Sequence, residues 1–305
     1  MASACAGVTT SQPMSLVGAW PTRMEANVVP LGPAGATLAP GVRYAGGLSL
    51  HGAGLHGLSD LKLAKDGVGA WAVSDFGALI HFNIRLDARG RLVGADTATR
   101  RPLAGLDGDL QGAKGDADAE GLALLDDGRL LVSFERDDRI WSYGMDGATT
   151  PTALRHPDID FPGNKGMEGL SAAPDRDGQA AWLVLGETGG AWTCTVGACR
   201  ALPYAPARIE DGYLFTSADR DPAGGWFIVE RYYRPPLTIR ARVRHMAPDG
   251  ALGPPLITLR PPASVDNFEG IAVRATPAGA RLYLLSDDND FFLQQTLLLA
   301  FDIVR

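Results

Sequence analysis

The 305-residue chain contains no stretch of about 18 or more apolar residues, so nothing in it reads as a membrane-spanning helix. Cysteine is scarce, with three copies, which do not make the two pairs that a structural zinc site needs. Histidine numbers five, and no HExxH zinc motif occurs. A Gly-x-Ser-x-Gly elbow and a phosphate-binding P-loop are missing too, which argues against a serine-nucleophile esterase and a P-loop enzyme. Basic residues are the minority: 28 Lys and Arg face 35 Asp and Glu, for a net charge of -7. A nucleic-acid partner would call for a basic face, so none is expected. Long amphipathic helical runs are not evident, which weakens any alternating βαβ reading.

What the chain has is turns. Its 38 Gly and 21 Pro are scattered rather than clustered, the pattern of many short strands. A tripeptide of acid, Gly and apolar residue recurs as Glu120-Gly121-Leu122, Glu168-Gly169-Leu170, Asp211-Gly212-Tyr213 and Glu269-Gly270-Ile271. A fifth copy, His56-Gly57-Leu58, carries His in the acid position. The steps between copies bracket the roughly 40–45 residues of a four-stranded propeller blade. Each copy leads through an apolar strand, a turn and a second apolar strand to another acid. The pairs are His56 with Asp75, Glu120 with Glu135, Glu168 with Glu187, Asp211 with Glu230, and Glu269 with Asp287. These repeats predict an all-β fold: one β-propeller of six blades around a central channel, spanning residues 26–305. The sixth blade is expected from Val42–Leu50 together with the C-terminal strand Thr296–Ile303, whose pairing would close the ring.

Residues 1–25 read as a leader. Ala-Ser-Ala before Cys5 has the form of a lipoprotein cleavage site, with a lipid anchor at Cys5 as its consequence; a plain leader is the alternative. Cys194 and Cys199 flank a plausible turn, where they form either a disulfide or two buried thiols. A disulfide would place the protein in an oxidising compartment, hence the expectation of a periplasmic or secreted protein. A monomer is the expected state.

The segments Asp118-Ala-Glu-Gly-Leu-Ala123, Asn164-Lys-Gly-Met-Glu-Gly-Leu-Ser171, Asn267-Phe-Glu-Gly-Ile-Ala272 and Leu285-Ser-Asp-Asp-Asn289 resemble the phytase-like propeller family, described as having esterase-like activity of phytase. Thr296-Leu-Leu-Leu-Ala-Phe301 adds to the resemblance, which covers roughly residues 42–303. Membership implies a propeller fold, frequent export and hydrolysis of phosphoric esters. His56 departs from the acidic pattern.

In a propeller the innermost strands face the channel, so a carboxylate repeated in successive blades becomes a ring of converging charge. Such a ring takes up protons or binds a cation. Glu120, Glu168, Asp211, Glu269 and Asp287 are the candidate metal ligands; Ca²⁺ is favoured by an all-oxygen set, with Mn²⁺ or Mg²⁺ as alternatives. Glu168, Glu230 and His56 are the candidate proton-handling catalytic groups, and Arg136, Lys165 and Arg231 the candidates for holding a small anionic substrate, a phosphate ester. The expected activity is a metal-dependent phosphoric ester hydrolase. A calcium-dependent lactonase or organophosphate hydrolase, kept open by Asn164, Asn267 and Asn289, is the alternative, as is a binding propeller with a structural metal.

Overall fold

The computed structural model describes residues 20–109, 117–144, 150–161, 163, 165–234 and 238–305, with the backbone alone at Thr97. Cys5 and Asn164 lie outside the described residues. Every multi-residue element among the described residues is a β-strand, and the strands fall into antiparallel units of four. The first blade is β5 (Leu58–Leu63), β6 (Gly69–Ser74), β7 (Ala78–Leu86) and β8 (Leu92–Pro102). The second is β9 (Ala119–Leu124), β10 (Leu130–Phe134), β11 (Arg139–Tyr143) and β12 (Thr152–Leu154). The third comprises β13 (Met167–Arg176), β14 (Gln179–Gly186), β15 (Ala191–Cys194) and β16 (Cys199–Ala201). The fourth comprises β17 (Leu214–Arg220), β18 (Trp226–Arg234), β19 (Thr238–Met246) and β20 (Leu252–Leu259). The last joins both ends of the chain: β21 (Asn267–Thr276), β22 (Gly279–Asp287) and β23 (Thr296–Val304) are completed by β4 (Val42–His51).

The innermost strands β5, β9, β13, β17 and β21 pack against one another in that order, and β21 returns to β5. The described strands therefore close a ring of five blades, not six. Val42–Leu50 and Thr296–Ile303 do pair, antiparallel, but β23 also bonds to β22, so the two strands finish the fifth blade rather than founding a sixth. Three short strands decorate the outer edges. β1 (Trp20–Thr22) lies on β8 within the stretch read as leader, β2 (Glu25–Val28) on β4, and β3 (Ala36–Leu38) on β20. They cover edges that would otherwise offer unpaired backbone groups.

The continuous apolar runs are explained by their position. β10 is buried along its whole length, and Trp182 through Leu185 of β14 are fully enclosed, because each blade is covered on both faces by its neighbours. The hydrophobic clusters lie between consecutive blades; one joins Ala181, Leu183 and Leu185 to Phe215, Trp226 and Ile228. Such strands carry no alternation because neither face meets water.

Cys194 and Cys199 are directly opposed on β15 and β16 and form a disulfide. It closes a loop of only six residues, so the constraint on the unfolded chain is small. Replacing both cysteines by Ser is expected to cost about 2 kcal/mol, read as a few degrees in melting temperature. An unchanged melting curve would mean that the bond is absent in the folded protein.

Candidate functional site

Each innermost strand opens with a β-bulge at the same level of the channel. The register slips past one extra residue at Ser59, Glu120, Glu168, Thr216 and Glu269. A bulge re-aims its extra side chain, here toward the axis for Ser59, Glu120, Glu168 and Glu269, which line one cavity. The Gly after the acid has a steric reason at two of these bulges. A Cβ at Gly121 would stand 2.7 Å from the Glu168 carbonyl oxygen, and one at Gly270 would stand 3.0 Å from the Leu61 nitrogen. Adjacent inner strands approach too closely there for a side chain. In the first and fourth blades the same place holds Asp60 and Ser217, which use the closeness to bond across blades. Ser217 donates to Asp60 (2.6 Å), whose carboxylate also accepts from the Leu122 nitrogen (2.8 Å). Lys62 grips both Asp60 oxygens at 2.9 and 2.8 Å. This network plugs the channel beneath the bulges. Burial raises Asp60 to about 6 even so, with Lys62 pulling the other way.

A second ring sits just above, where the neighbouring strands end. Asp75, Glu135 and Glu187 hydrogen-bond through their backbone nitrogens to Gly57, Asp118 and Gly166, and Asp287 opposes Asn267. The corresponding place in the fourth blade is Arg231, opposite Leu214. Together with Asp118, Arg136 and Asn289 these residues line a cavity of about 250 Å³ at one mouth of the channel. Eight carboxylates therefore face two arginines.

Crowding sets the electrostatics. Burial, then the charges of Glu168 and Glu269, hold Glu120 well above the ordinary carboxylate range. Glu168 is raised in the same way by burial, then by Glu187 and Glu269, against the pull of Arg231. Glu269 reaches about 7: burial dominates, and Arg231 and Asn267 restrain it. Asp287 is also well above its usual value, through burial and Glu269. Arg231 is the central counter-charge. It bonds to Asn267 (2.9 Å), Glu187 (3.2 Å) and Glu269. Burial disfavours its charge, but Glu269, Glu168 and Glu187 more than compensate and keep it protonated. At the rim Arg136 reaches Asp118 (2.7 Å) and Lys165 reaches Glu187 (2.9 Å), both cations half-exposed. Asp118, Glu120 and Glu135 each offer an oxygen within 4.8 Å of the others, close enough to share one cation.

The structure thus brings together Glu120, Glu168, Glu269, Asp287, Arg136 and Arg231 from the expected set, with Lys165 beside them on Glu187. Three expected members sit elsewhere. Asp211 lies in the loop before β17, and Glu230 falls one residue short of the Arg231 position, so it faces away from the axis. The two share an outer pocket, where Glu230 pairs with Arg242 and Arg244. The tripeptide at Asp211 matches the motif by composition but precedes the strand; the bulge of that blade is Thr216. His56 likewise precedes its bulge, packs edge-on against Phe76 and does not line the cavity. Asp118, missing from the expected ligands, was marked by its place two residues before Glu120 on the same strand entry.

The family model for phytase-like proteins, described as "esterase-like activity of phytase", matches residues 53–290. The chain belongs to the phytase-like family. That match spans all five inner strands and both rings of the channel mouth. No curated protein matches the chain. Among solved structures, the major Malassezia sympodialis allergen Mala s 1 is similar at 15% identity over 87% of this chain and 90% of that one, with a TM-score of 0.46. A protein provisionally named gluconolactonase is similar at 14% identity over 96% and 94%, with a TM-score of 0.44. The family supports a β-propeller hydrolase.

Proposed function

We propose that this phytase-like protein is a metal-dependent hydrolase of phosphoric esters, with Ca²⁺ as the favoured ion and Mg²⁺ or Mn²⁺ as alternatives. The observation that carries the reading is the excess of buried carboxylates at the channel mouth. Eight acids against two arginines repel an anion, so a phosphate ester needs a cation there to reverse the field. The donors fit such an ion: all are hard oxygens, and among the described residues neither His nor Cys lines the cavity. Asp118, Glu120 and Glu135 would hold it, with Glu168, Glu269 and Asp287 close by. A bound divalent cation polarises a phosphoryl oxygen and lowers the pKa of coordinated water.

The protein's own part is positioning and proton handling. Glu269, raised to about 7 in the metal-free protein, lies where a general acid or base should. Glu168, raised by burial and by the charges of Glu187 and Glu269, suits the donor role toward a leaving oxygen. Arg136 and Lys165, half-exposed at the rim, can turn from their carboxylates to the substrate's free oxygens. The disulfide supports an exported protein, periplasmic or secreted, since such bonds persist in oxidising compartments.

The test is metal analysis of the purified protein with a bis-p-nitrophenyl phosphate assay. Stoichiometric metal, chelator-sensitive turnover and loss of at least tenfold in Glu168→Gln with folding retained are expected. Ca²⁺ at about a hundred times its Kd should add about 2.7 kcal/mol to stability. Absence of metal, with no response of the melting curve to Ca²⁺, Mg²⁺ or Mn²⁺, would rule the reading out.

A further inference from the structure

The inner strands run through the channel in one direction, so residues three or four beyond each bulge lie roughly 10–13 Å farther along the axis. There the lining changes sign. Lys62, Leu124, Ala172, Asp219 and Val273, one from each inner strand, form the floor of a second cavity of about 440 Å³ at the opposite mouth. The floor itself is closed and nearly neutral. Lys62 is spent on Asp60 and on the carbonyls of Leu61 and Ile271, while Asp219 accepts hydrogen bonds from the backbone nitrogens of Val273 (2.7 Å) and Arg220 (2.9 Å). The rim carries three cations from three blades, Lys65, Arg220 and Arg274, against one carboxylate, Asp126.

Their bonds to protein are weak or leave capacity free. Arg220 stands 3.5 Å from Asp126, an exposed contact worth little. Lys65 gives one hydrogen bond to the Asp126 carbonyl oxygen and keeps two donors. Arg274 is held by shape: the turn after β5 passes so near that a Cβ at Gly67 would stand 2.7 Å from its Nε. Gly67, in the left-handed region at φ 67°, keeps that space open and itself lines the cavity. In a protein of net charge -7, three rim cations to one rim carboxylate over a plugged floor are the reverse of the acidic mouth.

We propose that this far mouth is a second binding site, separate from the acidic one, for a small oxyanion of the phosphate or carboxylate class. An exposed guanidinium fork and an ammonium lining one polar cavity suit a tetrahedral or planar anion, each oxygen finding an N–H donor. The plug of Asp60 and Lys62 separates the two sites, so this anion does not reach the acidic mouth through the channel.

Titration calorimetry with inorganic phosphate, repeated with citrate, tests the site. With divalent metal removed, saturable binding of one anion per chain is expected, weakened at least tenfold in the Lys65→Ala/Arg274→Ala double variant and unchanged in Glu120→Gln. Both cations are exposed, so the double variant should melt like the parent. Binding by phosphate alone would mark a tetrahedral-anion site, and binding by both a general oxyanion site; either supports the proposal. Non-saturable heats, or binding lost in Glu120→Gln while surviving in the double variant, would overturn it.

Discussion

Arg231→Met is expected to destabilise the metal-free protein by about 3–5 kcal/mol, the cost of removing one partner from a buried ionic cluster. Arg231 lies 17% exposed between Glu187 and Glu269, whose side chains are 5% and 10% exposed. With the guanidinium gone, Glu187 keeps Lys165 and Glu269 keeps Asn267, but no cation remains beside Glu269. Glu269 should then hold its proton above its present value of about 7, because Arg231 is the largest influence opposing burial. A divalent cation can partly take over the lost charge. The gain in melting temperature on adding Ca²⁺ should therefore be larger in Arg231→Met than in the parent. Glu230→Gln is the matched control: it removes a fully buried carboxylate one residue away, on the opposite face, and should leave the Ca²⁺ response unchanged. Equal Ca²⁺ responses in Arg231→Met and the parent would show that Arg231 and the cation do not share a field.

Most of the channel mouth is legible in the sequence because its repeat has a mechanical cause. An acid followed by Gly stands at three bulges that aim a carboxylate at the axis; the next inner strand crowds Gly121 and Gly270, and the Leu185 side chain crowds Gly169. Glu120, Glu168 and Glu269 were found that way. The fourth blade misled because its bulge is Thr216-Ser217, with no acid and no Gly, while Asp211-Gly212 supplies a decoy five residues earlier. The first blade did the same with His56-Gly57 in front of Ser59-Asp60. In both, the crowded position is filled by a residue that bonds to its neighbour, and that long-range contact has no local signature. Arg231 reads from the sequence as a substrate-holding cation; its place in the second ring depends on the register of β18, which the bulge sets. The blade count failed for a related reason. Strands from the two chain ends look like a separate blade until the hydrogen bonds of β23 to β22 are known.

The pH dependence of stability should change sign when the ion is bound. In the metal-free protein Glu269, at about 7, and Glu120, Glu168 and Asp287, also raised, bind protons more tightly folded than unfolded. Between the ordinary carboxylate range and neutrality the folded state then carries more protons than the unfolded one, so stability falls as pH rises. Glu269 alone accounts for about 3 kcal/mol lost between pH 4.5 and roughly 8, on 1.36 kcal/mol per unit of pKa. Asp60, buried and raised to about 6, acts in the same direction. A bound cation requires Asp118, Glu120 and Glu135 ionised and disfavours protons on the carboxylates around them, so protons compete with it and the holo protein should gain stability over the same interval. Urea unfolding at pH 5, 6, 7 and 8, in chelator and in excess Ca²⁺, measures both slopes. Opposite signs are the signature of a carboxylate cluster built to hold a cation. A flat profile in chelator would mean that Arg231 and its neighbours already neutralise the acids, and parallel slopes would mean that no ion enters. The same curves bear on catalysis: Glu269 can serve as a proton exchanger near neutrality only if Ca²⁺ does not draw its titration far below pH 7.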